Sequence, residues 1–143
     1  MNIEDYCLFE IISNTPEGFF VKFNGKIITS SFDGFLVSPA SVNKGICSVR
    51  NAVNFRSEEK WGHLIKIKDG RKLKKSLRNL LLIEFDWWFI NGCEALAICV
   101  PNGDINYVKS VIKSEKNKDS IQVFNHEEPE VYQKWMRSKI LHS

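Results

Sequence analysis

From Leu82 to Ile90 the side chains alternate. Ile83, Phe85, Trp87 and Phe89 fall on one parity, and Glu84, Asp86 and Trp88 on the other. Alternation with a period of two marks a strand with one buried face, so this stretch is predicted as a strand. Asn91-Gly92 follows it and leads into Cys93–Val100. Asn-Gly suits a type I′ turn because both central residues need positive φ. The same dipeptide, Asn24-Gly25, separates Phe19–Phe23 from Ile27–Phe32. Two β-hairpins are therefore predicted. Pro101-Asn102-Gly103-Asp104 reads as another turn, feeding a third strand from Ile105 to about Ile112. Within Cys93–Val100 the residues Cys93, Ala95, Ala97 and Cys99 share one face. Side chains this small suit close packing by a helix.

Helical spacing appears in three places. Ser38-Pro39 offers an N-cap and a first-turn proline, and Val42, Ile46, Val49 and Val53 follow on one face. Pro129 opens a second helix over Glu130–Leu141. Its acids come early (Glu127, Glu128, Glu130) and its bases late (Lys134, Arg137, Lys139), which complements the helix dipole. Val131, Trp135, Met136 and Ile140 are its expected buried stripe. The third place is basic. Between Lys66 and Arg78 lie Lys66, Lys68, Arg71, Lys72, Lys74, Lys75 and Arg78, with Asp69 the lone acid. Read as a helix over residues 71–82, this segment puts Leu73, Leu77, Leu80 and Leu81 on one side and its bases on the other. Read as a hairpin, it turns at Asp69-Gly70 and returns through Arg71–Lys75. The helix is preferred, since a strand made mostly of Lys and Arg has poor β-propensity.

At 143 residues with 43% hydrophobic content, the chain is expected to form a single domain over residues 1–143. It is long enough to bury a core without disulfides or metals. The expected class is α+β: an antiparallel sheet from two Asn-Gly hairpins, with two or three helices packed mainly on one face. The net charge of +3 is unevenly spread. Residues 1–20 carry −4, residues 21–83 carry +9 and residues 84–143 carry −2. The basic character is thus a local patch. Cys7, Cys47, Cys93 and Cys99 show no Cys-x-x-Cys spacing, and the start Met-Asn-Ile-Glu-Asp is acidic where a secretory signal is basic. The longest near-apolar run is too short to span a bilayer. These features point to a cytoplasmic protein with reduced thiols and no membrane span.

Chemistry-bearing motifs are scarce. His63, His126 and His142 are far apart in sequence, with no metal-binding spacing, and no nucleophile elbow, phosphate loop or dinucleotide fingerprint is present. No catalytic residue, metal or cofactor is assigned, and the chain is not read as an enzyme. The contact residues expected instead are Glu84, Asp86 and Trp88 on an exposed strand face, with Arg71, Lys74, Lys75 and Arg78 beside them. Basic charge next to aromatic surface suits an acidic protein or a polyanion.

The stretch Leu73–Val108 pairs a leucine-rich helix, Leu77 to Leu81, with the strand Ala95-Leu96-Ala97-Ile98. It then passes through a Pro-Asn-Gly turn into another strand. This layout resembles small bacterial immunity proteins of contact-dependent growth-inhibition systems. The resemblance covers about a quarter of the chain and carries no diagnostic motif and no binding residue. It implies a non-catalytic cytoplasmic protein whose partner is a cognate toxin, neutralised by direct binding. Many nuclease toxins are basic, so a positive inhibitor would need an acidic toxin surface or its own acidic segments. The alternative function is nucleic-acid binding through the basic helix 71–82. The sequence leaves the oligomeric state open.

Overall fold

The computed structural model describes residues 20–24, 26–31, 39–56 and 60–141. Several expectations lie outside those residues: the acidic segment before Phe20, Cys7, the turn residue Gly25, the cap Ser38 and His142. The described elements run β1 (Phe20–Asn24), β2 (Ile27–Ser31), α1 (Pro39–Arg56), β3 (Trp61–Lys66), α2 (Arg78–Ile90), β4 (Cys93–Val100), α3 (Ile105–Ile112), β5 (Ile121–Asn125) and α4 (Pro129–Leu141).

The five strands form one sheet in sequential order, β1-β2-β3-β4-β5. β1 and β2 are antiparallel. From β2 to β5 every pairing is parallel. This overturns the expected antiparallel sheet of two hairpins. Parallel neighbours need a crossover connection, and α1, α2 and α3 supply it in turn. Sequential order with all three crossovers on one face is the outcome of repeated crossovers of one hand.

Two elements change type. Residues 82–90, expected as a strand, continue a helix that starts at Arg78, and residues 105–112 also form a helix in place of a strand. The strand expected after the Pro101-Asn102-Gly103-Asp104 turn is therefore a helix. The alternation in Leu82–Ile90 misleads because the run is apolar nearly all round, so the same letters also satisfy a period of 3.6. Leu81, Glu84, Phe85 and Trp88 are buried along one side of α2, while Ile83 and Ile90 are 67% and 80% exposed. Asn91-Gly92 terminates this helix. Gly92 has φ 100°, and the Asn91 N–H donates to the Trp87 and Trp88 carbonyls. The tolerance of positive φ that favours a hairpin turn here serves a helix end.

Four described helices flank the sheet, three on one face and the fourth on the other. Val42, Ile46, Val49 and Val53 of α1 join Phe85 and Trp88 of α2 and Val108 and Val111 of α3 in one core, against Ile65 and Ile98 of the sheet. On the opposite face Tyr132, Met136 and Ile140 of α4 pack on Leu64, Ala95, Ala97 and Cys99. The small side chains of β4 thus admit a helix, as their pattern predicts. The stripe of α4 is shifted, because Val131 is exposed and Tyr132 is buried. Gly62 lets α4 come close: a Cβ there would sit 2.7 Å from Ile140 Cδ1 and 2.8 Å from Met136 Sδ.

Candidate binding surface at the carboxyl edge of the sheet

In open parallel sheets, ligands gather outside the carboxyl ends of the strands. Here that edge is built from the segment after β3. Ile67 N–H donates to the Cys99 carbonyl at 3.0 Å, which extends the sheet by one bond. Asp69 Oδ1 then accepts the Arg71 N–H at 3.1 Å, starting a single 3₁₀ turn over Gly70–Lys72. Asp104, from the turn after β4, holds this turn from outside. Its Oδ2 accepts Gly70 N–H at 3.0 Å and its Oδ1 accepts Arg71 Nε–H at 3.2 Å. The Arg71 guanidinium lies over the Tyr107 ring, and the Tyr107 hydroxyl donates to the Leu73 carbonyl at 2.8 Å. A second 3₁₀ turn, Lys75–Leu77, leads into α2. Leu73 and Leu77 are buried. Lys68, Lys72, Lys74 and Lys75 are exposed.

The basic helix 71–82 expected from the leucine spacing is therefore not formed. Its first half is two short turns pinned by buried leucines, and its bases project from that frame.

The seven nominated contact residues separate. Lys74 and Lys75 are exposed as expected. Arg71 is exposed and paired with Asp104. Arg78 donates to the Lys113 carbonyl just beyond the last turn of α3. Asp86 is half-buried, accepts Asn117 Nδ2–H at 3.1 Å and faces Lys116 Nζ at 3.4 Å. Glu84 and Trp88 are not on a surface at all, being 2% and 1% exposed. They sit one helical turn apart on the inner side of α2, so the exposed strand face does not exist. Glu84 is held by Arg50 of α1, whose Nε lies 3.0 and 2.9 Å from its two oxygens. The hydrogen bond to Glu84 raises the Arg50 pKa. Arg50 also covers the Trp87 ring at 4.4 Å.

On the α4 side of the same edge lies a cleft of about 370 Å³. Ser31, Lys66 and Cys99 are register partners across β2, β3 and β4 and line its floor. Lys68, His126 and Tyr132 complete the wall. Burial pushes the Cys99 thiol up to about 12, with nearby Lys66 opposing the shift. Burial also raises Tyr132. Both groups thus stay protonated at neutral pH and act as donors or packing surface, not as nucleophiles.

One buried polar group was not among the candidates nominated from the sequence. His63 is fully buried, with Nε2 2.8 Å from the Ser30 hydroxyl. Its ring meets Trp88 edge-on at 4.3 Å. Burial pulls its pKa down to about 3, so the imidazole is neutral. His63 Nδ1 and Trp88 Nε1 have no hydrogen-bond partner among the described residues. The one available signal was parity, since Trp61, His63 and Ile65 share the face of β3 that meets the main core.

No family model, curated protein or solved structure matches the chain. Among the described residues, no group of three or more His, Cys, Asp or Glu is placed to hold a metal ion, and no helix is long and apolar enough to cross a membrane.

Proposed function

We propose that this protein is a non-catalytic cytoplasmic binding domain that docks an acidic protein surface on its basic carboxyl edge. The observation that carries the reading is the fixed frame of Asp104, Tyr107, Leu73 and Leu77 beneath exposed Lys72, Lys74 and Lys75. A charged surface on a preorganised backbone steers association and loses little entropy on binding. Ile83 and Ile90 follow along the outer face of α2, adding apolar contact beside the charge. A charged rim beside an apolar or aromatic anchor is the usual anatomy of a protein interface.

Three further points support binding over catalysis and over nucleic acid. His63 is neutral and sealed in the core, and the Cys93 and Cys99 thiols are held protonated by burial. Trp61 and Trp88, two of the aromatics that base stacking would use, are buried. Trp87 lies under Arg50. Neutralisation of a cognate toxin is the narrower form of this proposal, in which the basic edge covers an acidic surface of the toxin.

The test is affinity capture with tagged protein in nuclease-treated lysate of its native host. The triple reversal K72E/K74E/K75E should lose a partner that the wild type retains, while K134E/R137E on α4 should keep it. Equal capture by all three proteins rejects the proposal. A partner captured only from a parallel untreated lysate supports the nucleic-acid reading instead. Identification of a toxin domain encoded beside this chain's gene as the captured protein selects the narrower form.

A further inference from the structure

We infer that the cleft between β3 and the start of α4 is a separate binding site for a small molecule with an anionic head, a carboxylate or a phosphate. Its volume of about 370 Å³ lies within the range of small-ligand sites. Its polar groups are donors that converge from three elements. Lys66 stands at the end of β3, between register partners Ser31 and Cys99. His126 is placed by its own N–H, which donates to the Val100 carbonyl at 2.9 Å. Tyr132 enters from the first turns of α4 and is only 5% exposed.

Two observations point to a ligand. Among the described residues Lys66 forms no ion pair, although it stands at the carboxyl edge of a parallel sheet where backbone carbonyls already gather. The Tyr132 hydroxyl has no hydrogen-bond partner among the described residues, although its side chain is buried and lines the cleft. A hydroxyl on the cleft wall, free to donate, gains a hydrogen bond from a bound acceptor. An anion accepting from both Lys66 and Tyr132 answers both observations with charge-assisted hydrogen bonds. The carboxylates of Glu127 and Glu130 lie close to His126 and Tyr132. They set an outer limit on where a negative head settles, favouring the Lys66 side.

This site is independent of the protein-docking surface, since its residues face α4 while Lys72, Lys74 and Lys75 belong to the segment beyond. The experiment titrates phenyl phosphate, benzoate and benzyltrimethylammonium at millimolar concentration into ¹⁵N-labelled protein. Phenyl phosphate or benzoate, or both, should shift the amides of Ile67, Cys99 and His126, and their relative affinities identify the preferred head. Lys66→Gln should weaken binding by about tenfold. Tyr132→Phe, which keeps the packing against Phe124, should weaken it about two- to tenfold. Lys74→Gln should leave it unchanged. The inference is overturned if neither anion shifts these amides. It is equally overturned if the ammonium probe shifts them alike, or if Lys74→Gln weakens binding as much as Lys66→Gln.

Discussion

Arg50 grips Glu84 with two nitrogens: Nε reaches both carboxylate oxygens and Nη2 approaches Oε1 at 2.5 Å. The pair ties α1 to α2 across a helix interface in which Glu84 is 2% exposed. Removing one partner of a buried pair strands the other charge, whereas replacing both with apolar groups is often neutral. Arg50→Met should therefore cost about 2–4 kcal/mol, below the full value for a buried pair because the outer side of Arg50 reaches water. The double variant R50M/E84M should recover most of that loss. Urea unfolding midpoints measure both, and a single variant as stable as the wild type would remove the clamp from the account.

His63 makes stability depend on pH in a defined direction. Its folded pKa is depressed to about 3, below an ordinary value of 6.5. Above 6.5 the ring is neutral in both states, so the fold keeps its full stability. As pH falls below 6.5 the unfolded chain takes up a proton that the fold refuses. Stability should then drop by up to about 1.4 kcal/mol per pH unit towards the folded pKa. Between pH 6.5 and 5 most carboxylates remain ionised, which isolates the effect. His63→Gln, which can still bond Ser30, should flatten the slope in that window; an unchanged slope assigns it to other groups.

Thiol reactivity should divide by burial. Cys47 is exposed on α1, whereas Cys93 and Cys99 are buried with raised pKa values. In a Cys7→Ser background, iodoacetamide at neutral pH should label Cys47 in the native protein and the other two only after denaturation. Fast native labelling of Cys99 would mean that α4 does not cover β4 as described.

Gly70 holds the basic segment against α3. A Cβ at that position would lie 2.8 Å from Asp104 Cβ and 2.9 Å from Val108 Cγ2. Gly70→Ala should cost about 1–3 kcal/mol, as overpacking generally does. It should also raise amide exchange at Arg71 and Leu73, whose N–H groups are bonded within this turn. Unchanged exchange at both would show that the contact does not set the segment.

The parts legible in the sequence were those with a single period. Val42, Ile46, Val49 and Val53 repeat only at helical spacing and form the buried stripe of α1. Ala95, Ala97 and Cys99 form the small-residue face that α4 covers. Where both faces of an element are apolar, the period carries no decision. β4 is buried on both faces, as parallel strands are, and α2 carries Ile83 and Ile90 outside as well as Leu81 and Phe85 inside. The turn signal at Asn91-Gly92 was real but ambiguous, because a helix end and a hairpin both use positive φ. Strand alternation puts Glu84 on a solvated face with Asp86 and Trp88, whereas it is 2% exposed on the inner side of α2. Its burial depends on Arg50, thirty-four positions away, a distance that no local pattern spans. Lys74 and Lys75 were legible as exposed bases, whereas the frame beneath them required the tertiary contacts of Asp104 and Tyr107.

The central claim is that the segment around Lys74 meets a protein. Site-specific photo-crosslinking in native cells tests it most directly, with a benzophenone side chain placed at Lys74 and, as control, at exposed Gln133 on α4. The account predicts one discrete, nuclease-resistant protein adduct from position 74, lost in the K72E/K75E background, and none of that mass from position 133. No adduct at position 74, or one that nuclease treatment removes, would contradict it.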